Sequence, residues 1–274
     1  MVLEIGLIGC GTIGTEIAKA IDTDRVPDTK LGAVFDVNHA KMESLADSLA
    51  GTPAVVDSVS GLTAEVDLVV EAAGQTAVQN VAVDVLKANT DLMLMSVGAL
   101  ADAELRTAVL DAVDARSSRL YVPSGAIAGL DAVKAAALAD ELSSVSLTTR
   151  KPPSGLEGAP YIETNDIDLS DFDESTVVFE GPATEAAKAF PSNVNVAISL
   201  SLAGIGPDET EVTIVADPDE ENNVHRIQAT GSAGRIETTV RNVPSPTNPK
   251  TSYLAALSAI EKLRGITTPT STGT

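Results

Sequence analysis

Leu3-Glu-Ile-Gly-Leu-Ile-Gly-Cys-Gly-Thr-Ile-Gly14 is the stretch that decides the fold of this chain. A short apolar run of β type leads into Gly9, Gly11 and Gly14, and a helical pattern (Ile13, Ile17, Ala18, Ile21) follows. A second apolar run, Leu31-Gly-Ala-Val-Phe35, ends on an acid, Asp36. These are the parts of a dinucleotide-binding βαβ unit in their working order. Gly9 permits the tight turn, Gly11 lets the backbone approach a pyrophosphate, and Gly14 lets the helix close on the strand. Thr12 and Ile13 open that helix, whose free N–H groups face the phosphates. Asp36 is placed to accept hydrogen bonds from an adenosine ribose. A carboxylate there repels a 2′-phosphate, so NAD is expected over NADP. Asn38, His39 and Lys41 follow closely enough to soften that preference. The bland alternative is a glycine turn in a non-binding domain of the same build.

Outward from this loop, strand and helix patterns alternate through the first 120 or so residues. Candidate strands are Glu4–Ile8, Leu31–Phe35, Asp67–Glu71, Leu92–Ser96 and Leu120–Val122, with helical patterns between them. That rhythm predicts a doubly wound parallel sheet of Rossmann type. After Pro123 the pattern changes. Period-2 runs at Ser143–Thr149, Thr176–Glu180, Glu209–Ala216, Val224–Thr230 and Arg235–Val240 predict a mixed sheet with one wet face. Asn248-Pro249 reads as a helix start, with the helix over Thr251–Leu263. The expected division is a dinucleotide-binding domain over 1–121, rejoined by a C-terminal helix within 249–265, and an α+β catalytic and dimerisation domain over 122–248. The tail, 266–274, lacks a core pattern and is expected to be loose.

Composition narrows the function classes. Hydrophobic residues make up 44% of 274, which suits a packed globule, but only 3% are aromatic, so Val, Ala, Leu and Ile must build the core. Asp and Glu total 39 against 18 Lys and Arg, a net charge of −21, with the acids dispersed along the chain. Such a surface repels phosphate backbones and argues against nucleic-acid binding. It suits a salt-rich cytoplasm, so a halophilic source is expected, an ordinary acidic enzyme being the alternative. The acidic start runs straight into the first strand, which is not how a secretory signal reads. No apolar stretch reaches the ~20 residues of a membrane span. A cytoplasmic protein with no membrane partner is expected. Cys10 is the only cysteine; inside the glycine loop it reads as a small packing residue.

Few residues are left to carry chemistry. Of the two histidines, His39 lies just after the second strand, at the adenosine end of a bound dinucleotide. His225, at the start of a strand in the second domain, is the candidate base, since imidazole titrates near neutrality; a structural histidine is the alternative. Arg150 and Lys151 end a strand before Pro152-Pro153 and form a candidate carboxylate site. Surface cations pairing with acidic neighbours are the bland reading. Lys250 is a third candidate anion contact. Ser96-Val-Gly98 ends a parallel strand, where cofactor and substrate meet in such folds. No metal-binding pattern is present.

Taken together, these segments resemble the L-aspartate dehydrogenase family almost end to end. The resemblance rests on Gly6-Leu-Ile-Gly-Cys-Gly-Thr-Ile-Gly14, Ser96-Val-Gly-Ala-Leu100 and Pro123-Ser-Gly-Ala-Ile-Ala-Gly-Leu-Asp-Ala132. It continues in Thr149-Arg-Lys-Pro-Pro153, Phe190-Pro-Ser-Asn-Val-Asn-Val-Ala197, Asn223-Val-His225 and Asn248-Pro-Lys-Thr-Ser252. The glycine loop is generic; the later segments are specific. Ile198-Ser199 is a mild departure. The resemblance implies that His225 is the active-site base and that Ala126 and Asn195 contact the nicotinamide side of the cofactor. It implies a homodimer and a second domain similar to that of dihydrodipicolinate reductases. It further implies that iminoaspartate is handed to quinolinate synthase for NAD synthesis. Aspartate, with two carboxylates, suits the Arg150–Lys151 pair. Hydride transfer from its Cα gives an imine, which water attacks with help from His225 to release oxaloacetate and ammonia; the reverse is a reductive amination. A homoserine dehydrogenase-like reductase is the nearer rival. A non-catalytic NAD-binding sensor, needing neither His225 nor the cations, is the farther one.

Overall fold

A computed structural model describes residues 2–139, 142–245, 248–270 and 272, without the side chains of 246–251. By their contacts the residues form two units, Met1–Pro123 with Ala255–Thr274, and Ser124–Leu254.

The alternation of apolar runs and amphipathic stretches becomes the first unit. Its elements are β1 (Leu3–Ile8), α1 (Thr12–Asp22), β2 (Thr29–Phe35), α2 (His39–Ser48), β3 (Ala54–Val55) and α3 (Val59–Thr63). They continue with β4 (Leu68–Glu71), α4 (Gln75–Lys87), β5 (Asp91–Leu94), α5 (Ala103–Asp114) and β6 (Leu120–Tyr121). Among the described residues the strands form one parallel sheet in the order β3-β2-β1-β4-β5-β6. Leu68, Val69 and Val70 on β4 are all fully buried, as a strand covered by helices on both faces requires. Side-chain oxygens of Asn38, Ser58 and Asp102 cap α2, α3 and α5, accepting from Lys41, Gly61 and Leu105 N–H groups. The strand order reverses between β1 and β4, so a crevice opens at their carboxyl ends. β5 stops at Leu94, short of the expected Ser96, which instead enters a 3-10 turn over Val97–Ala101.

The second unit holds α6 (Leu130–Ala137), β7 (Leu142–Lys151), α7 (Pro160–Thr164), β8 (Thr176–Pro182), α8 (Ala183–Ala189), α9 (Asn195–Ala203), β9 (Thr210–Ala216), β10 (Asn223–Gly231) and β11 (Gly234–Asn242). Its sheet runs β11-β10-β7-β9-β8 and is mixed: β7 and β9 are parallel, the other pairs antiparallel. Alternation sorts the residues. Val145, Leu147 and Thr149 on β7, Val212 and Ile214 on β9, and His225 and Ile227 on β10 are buried, whereas Arg226, Glu211 and Glu237 stay exposed. β7 outruns the expected Ser143–Thr149 because β9 and β10 continue to pair with Arg150.

The expected helix start at Asn248-Pro249 is corrected. β12 (Pro244–Ser245) and β13 (Asn248–Ser252) pair antiparallel, and α10 (Tyr253–Thr267) begins only after them. An available strand partner holds this backbone extended, and the helix starts where Tyr253-Leu-Ala-Ala-Leu257 replaces poor helix formers. The first two residues of the expected loose tail, 266–274, belong to the helix, and Ile266 packs on the core of the first unit.

Candidate active site

In the first unit the three loop glycines divide their work. Gly9 has φ of 100°, and a Cβ there would lie 2.6 Å from the Ala72 carbonyl carbon. A Cβ on Gly14 would lie 1.9 Å from the Gly9 carbonyl oxygen. A Cβ on Gly11 would meet nothing within 4 Å. Gly9 and Gly14 therefore serve the packing of the chain itself, while Gly11 keeps a space clear. No side chain caps α1 at Gly11, which leaves the helix N-terminus to an anion. Asp36, at the end of β2, accepts the Cys10 N–H through Oδ2 at 2.8 Å and the Asn38 N–H through Oδ1 at 2.9 Å. Its carboxylate is thus fixed beside the loop with acceptor capacity to spare. A cleared glycine cradle, an uncapped helix start carrying Thr12 and Ile13, and an oriented carboxylate fit a dinucleotide.

Burial, and then the Asp36 charge, push the Cys10 thiol up to about 11, so it stays protonated and acts as packing. His39 opens α2 on the surface, 3.5 Å from Glu43 and 4.0 Å from Asp57. Glu71, at the end of β4, is a residue the sequence reading missed. It is fully buried and accepts N–H groups of Ala73, Gly74 and Ser96 and the Ser96 hydroxyl, all at 2.8 to 3.0 Å. Burial drives its carboxyl up; those hydrogen bonds oppose the shift.

In the second unit β10 pairs with β7 so that His225 stands opposite Thr149. Thr149 Oγ1 lies 3.0 Å from His225 Nδ1, both side chains being buried. Lys151, two residues along the same face of β7, is buried as well and donates from Nζ to Asn193 Oδ1. Burial pushes its ammonium down to about 8, and among the described residues no carboxylate offsets the charge. His225 is pushed down to about 3, by burial first and then by the Lys151 charge. The imidazole is therefore neutral at physiological pH. Asn242 Nδ2 donates to the carbonyls of Ala126 (2.9 Å) and Asn223 (3.3 Å), joining the Ala126 loop to the root of β10. Its Oδ1 is buried without a partner among the described residues. Asn195 is the first, partly buried residue of α9.

The structure parts the Arg150–Lys151 pair, which was expected to form one carboxylate site. Neighbours along a strand face opposite ways. Arg150 projects to the open face, donates to Asp217 and to Ser175 Oγ (3.0 Å), and holds the Asp217 carboxyl below its ordinary range. With Thr148, Val224, Arg226, Gln228, Glu237 and Thr239 it lines a cavity of about 470 Å³ on that face. Lys151 alone joins His225. The Lys250 side chain lies outside the described residues. Asn193 and the role of Thr149 were also missed; counting alternate residues back from Lys151 along β7 would have found Thr149.

A neutral imidazole thus shares a sheet face with a buried ammonium that pairs with no carboxylate among the described residues. Comparison with known proteins bears on what this arrangement does. The family model for the aspartate dehydrogenase C-terminal domain matches residues 131–266, and that for the homoserine dehydrogenase NAD-binding domain matches 9–123. An L-aspartate dehydrogenase of Methanosarcina mazei is 48% identical over 272 residues, spanning 99% of this chain and all of that one. One from Nitrosopumilus maritimus is 48% identical over 95% of both chains. The crystal structure of aspartate dehydrogenase from Thermotoga maritima aligns over 99% of both chains with a TM-score of 0.78 and 27% identity.

Proposed function

The chain belongs to the L-aspartate dehydrogenase family, NAD-binding oxidoreductases acting on an amino acid, and from that premise we propose that His225 and Lys151 are its working pair. In this reading Lys151 takes a carboxylate of L-aspartate, and His225 is the base. The observation that carries it is the buried Lys151 ammonium, uncompensated and sharing a sheet face with His225. An unpaired buried charge is costly, and a substrate carboxylate relieves that cost. Arg150, already held by Asp217, drops out of the substrate site.

NAD, which the glycine loop and Asp36 would hold, would supply the hydride acceptor. Loss of hydride from Cα to that acceptor, and of a proton from nitrogen to solvent, converts aspartate to iminoaspartate. His225, neutral and steadied at Nδ1 by Thr149, takes a proton from the water that adds to the imine carbon. Ammonia then leaves and oxaloacetate remains; the reverse sequence aminates oxaloacetate. Ala126 and Asn195 contact the nicotinamide side, with Asn242 steadying the Ala126 loop. Gly9, Gly11, Thr12, Ile13, Gly14 and Asp36 hold the rest of the cofactor. The reading includes a cytoplasmic homodimer that passes iminoaspartate to quinolinate synthase.

The test is turnover of L-aspartate with NAD beside a panel containing homoserine. No turnover of either overturns the enzymatic reading, and preference for homoserine favours its nearest rival. Lys151→Met should raise KM for aspartate by about 10- to 150-fold, the worth of a hydrogen bond to a charged group, whereas Arg150→Ala should leave it near the starting value. On the cofactor side, NAD is preferred over NADP because of the Asp36 carboxylate. Asp36→Ser should narrow the ratio of kcat/KM values for the two, and an unchanged ratio would remove Asp36 from the ribose site.

A further inference from the structure

We propose that Glu71 is a positioning residue for the cofactor, fastening the loops after β4 and β5 into the surface that receives the nicotinamide half. The proposal rests on the dinucleotide reading of the first unit.

The strand order β3-β2-β1-β4-β5-β6 is that of two mononucleotide-binding halves set back to back. The glycine loop and Asp36 belong to the half built on β1 and β2. The half built on β4 and β5 has no glycine fingerprint, and its loops are ordered by other means. Glu71 supplies them. Oε1 accepts from the Ala73 and Gly74 N–H groups at 2.8 Å, turning the chain directly after β4. It also accepts the Ser96 hydroxyl at 2.9 Å, while Oε2 accepts the Ser96 N–H at 3.0 Å. One carboxylate thereby ties the end of β4 to the residue that opens the turn after β5. The same segment abuts the glycine loop: the Ala72 N–H donates to the Ile8 carbonyl at 2.7 Å, and the Ala72 carbonyl fills the space beside Gly9.

Stability alone is a poor reason for this residue. A fully buried carboxylate carries a large desolvation cost, and an apolar side chain of like size commonly serves a core better. What a carboxylate does, and an apolar group cannot, is gather four donors from two loops at one point. Those donors belong to loop residues at the carboxyl edge of the sheet, where ligands bind in folds of this kind.

The test compares Glu71→Gln and Ser96→Ala with the unaltered protein. Dissociation constants for NAD and for ADP, which ends at the pyrophosphate and lacks the nicotinamide riboside, are measured by calorimetry, and melting temperatures alongside. In Glu71→Gln an amide NH2 replaces one acceptor oxygen and leaves a loop donor without a partner. NAD should then bind about tenfold or more weaker, because the two loops no longer hold the arrangement that receives it. ADP should stay within about twofold, its adenosine and pyrophosphate contacts lying on the half built on β1 and β2. Ser96→Ala, which removes one donor of the four, should show the same split at smaller size, and it decides alone if Glu71→Gln does not fold. Equal weakening of both ligands, or a lowered melting temperature with NAD affinity unchanged, would assign Glu71 to the fold only and overturn the proposal. If the unaltered protein binds neither ligand, the dinucleotide reading fails, and the proposal with it.

Discussion

His225 is held neutral from two directions, by burial and by the Lys151 ammonium on the neighbouring strand. Its proton affinity is low, so its use as a base rests on position. General acid–base catalysis is typically worth ~10²–10⁴-fold, and His225→Ala should lower kcat by that order with NAD affinity little changed. His39→Ala, on the surface of α2, should keep kcat near the starting value; equal losses in the two variants would remove His225 from the base position. Lys151 carries the pH dependence. Burial has lowered its affinity for a proton, so the charged form dominates below about 8 and is lost above it. Succinate, whose carboxylates are fully ionised from neutrality upward, serves as a probe: its binding should weaken as pH rises through that value or somewhat above it, since a bound carboxylate favours the ammonium. In Lys151→Met the dependence should vanish, and a pH-independent Kd in the unaltered protein would refute the assignment. Sequence brought Arg150 and Lys151 to notice as a pair because they are adjacent and cationic. Adjacency in a strand is the opposite of proximity in function, and this strand's length depended on partners distant in the chain.

The glycine loop was legible in full because its signals are local. The turn, the uncapped helix start and the acid ending β2 all fall within 36 residues, each in the expected place. Glu71, Asn193 and Asn242 were not legible, since each acquires meaning only from donors or acceptors that the fold brings to it. The β12–β13 pair failed to show for a related reason: strands this short exist by virtue of each other, while Asn-Pro by itself resembles a helix start. The loop itself invites a paired measurement. Gly14→Ala drives a Cβ into the Gly9 carbonyl and should lower the melting temperature, overpacking of this kind costing ~1–3 kcal/mol or more. Gly11→Ala meets open space, so the fold should persist while NAD affinity falls. If Gly11→Ala binds NAD normally, the space is not the path of the pyrophosphate.

Across the whole chain, 39 acidic residues against 18 basic ones place a net charge of −21 on the molecule. Repulsion among so many carboxylates disfavours the compact state in dilute buffer. At molar salt the screening length shortens to ~3 Å, and that repulsion is confined to near neighbours. The halophilic reading therefore predicts a melting temperature that climbs from low to molar KCl. A flat or falling curve would return the chain to the ordinary acidic enzymes. Composition made this property visible without any structure, because net charge does not depend on how the chain folds.

The first unit is assembled from two distant pieces of polypeptide, and α10 contributes Ala259, Ile260 and Leu263 to its core. Translation proceeds from the amino end, so the domain begun earliest is finished last. While the ribosome makes everything from Ser124 to Leu254, the nascent first domain still lacks one wall of its interior. It waits in a state that exposes apolar surface, the kind on which chaperones act. A stop codon in place of Tyr253, ahead of α10, would leave the loop, the base and the lysine all encoded, yet strand the protein in that waiting state.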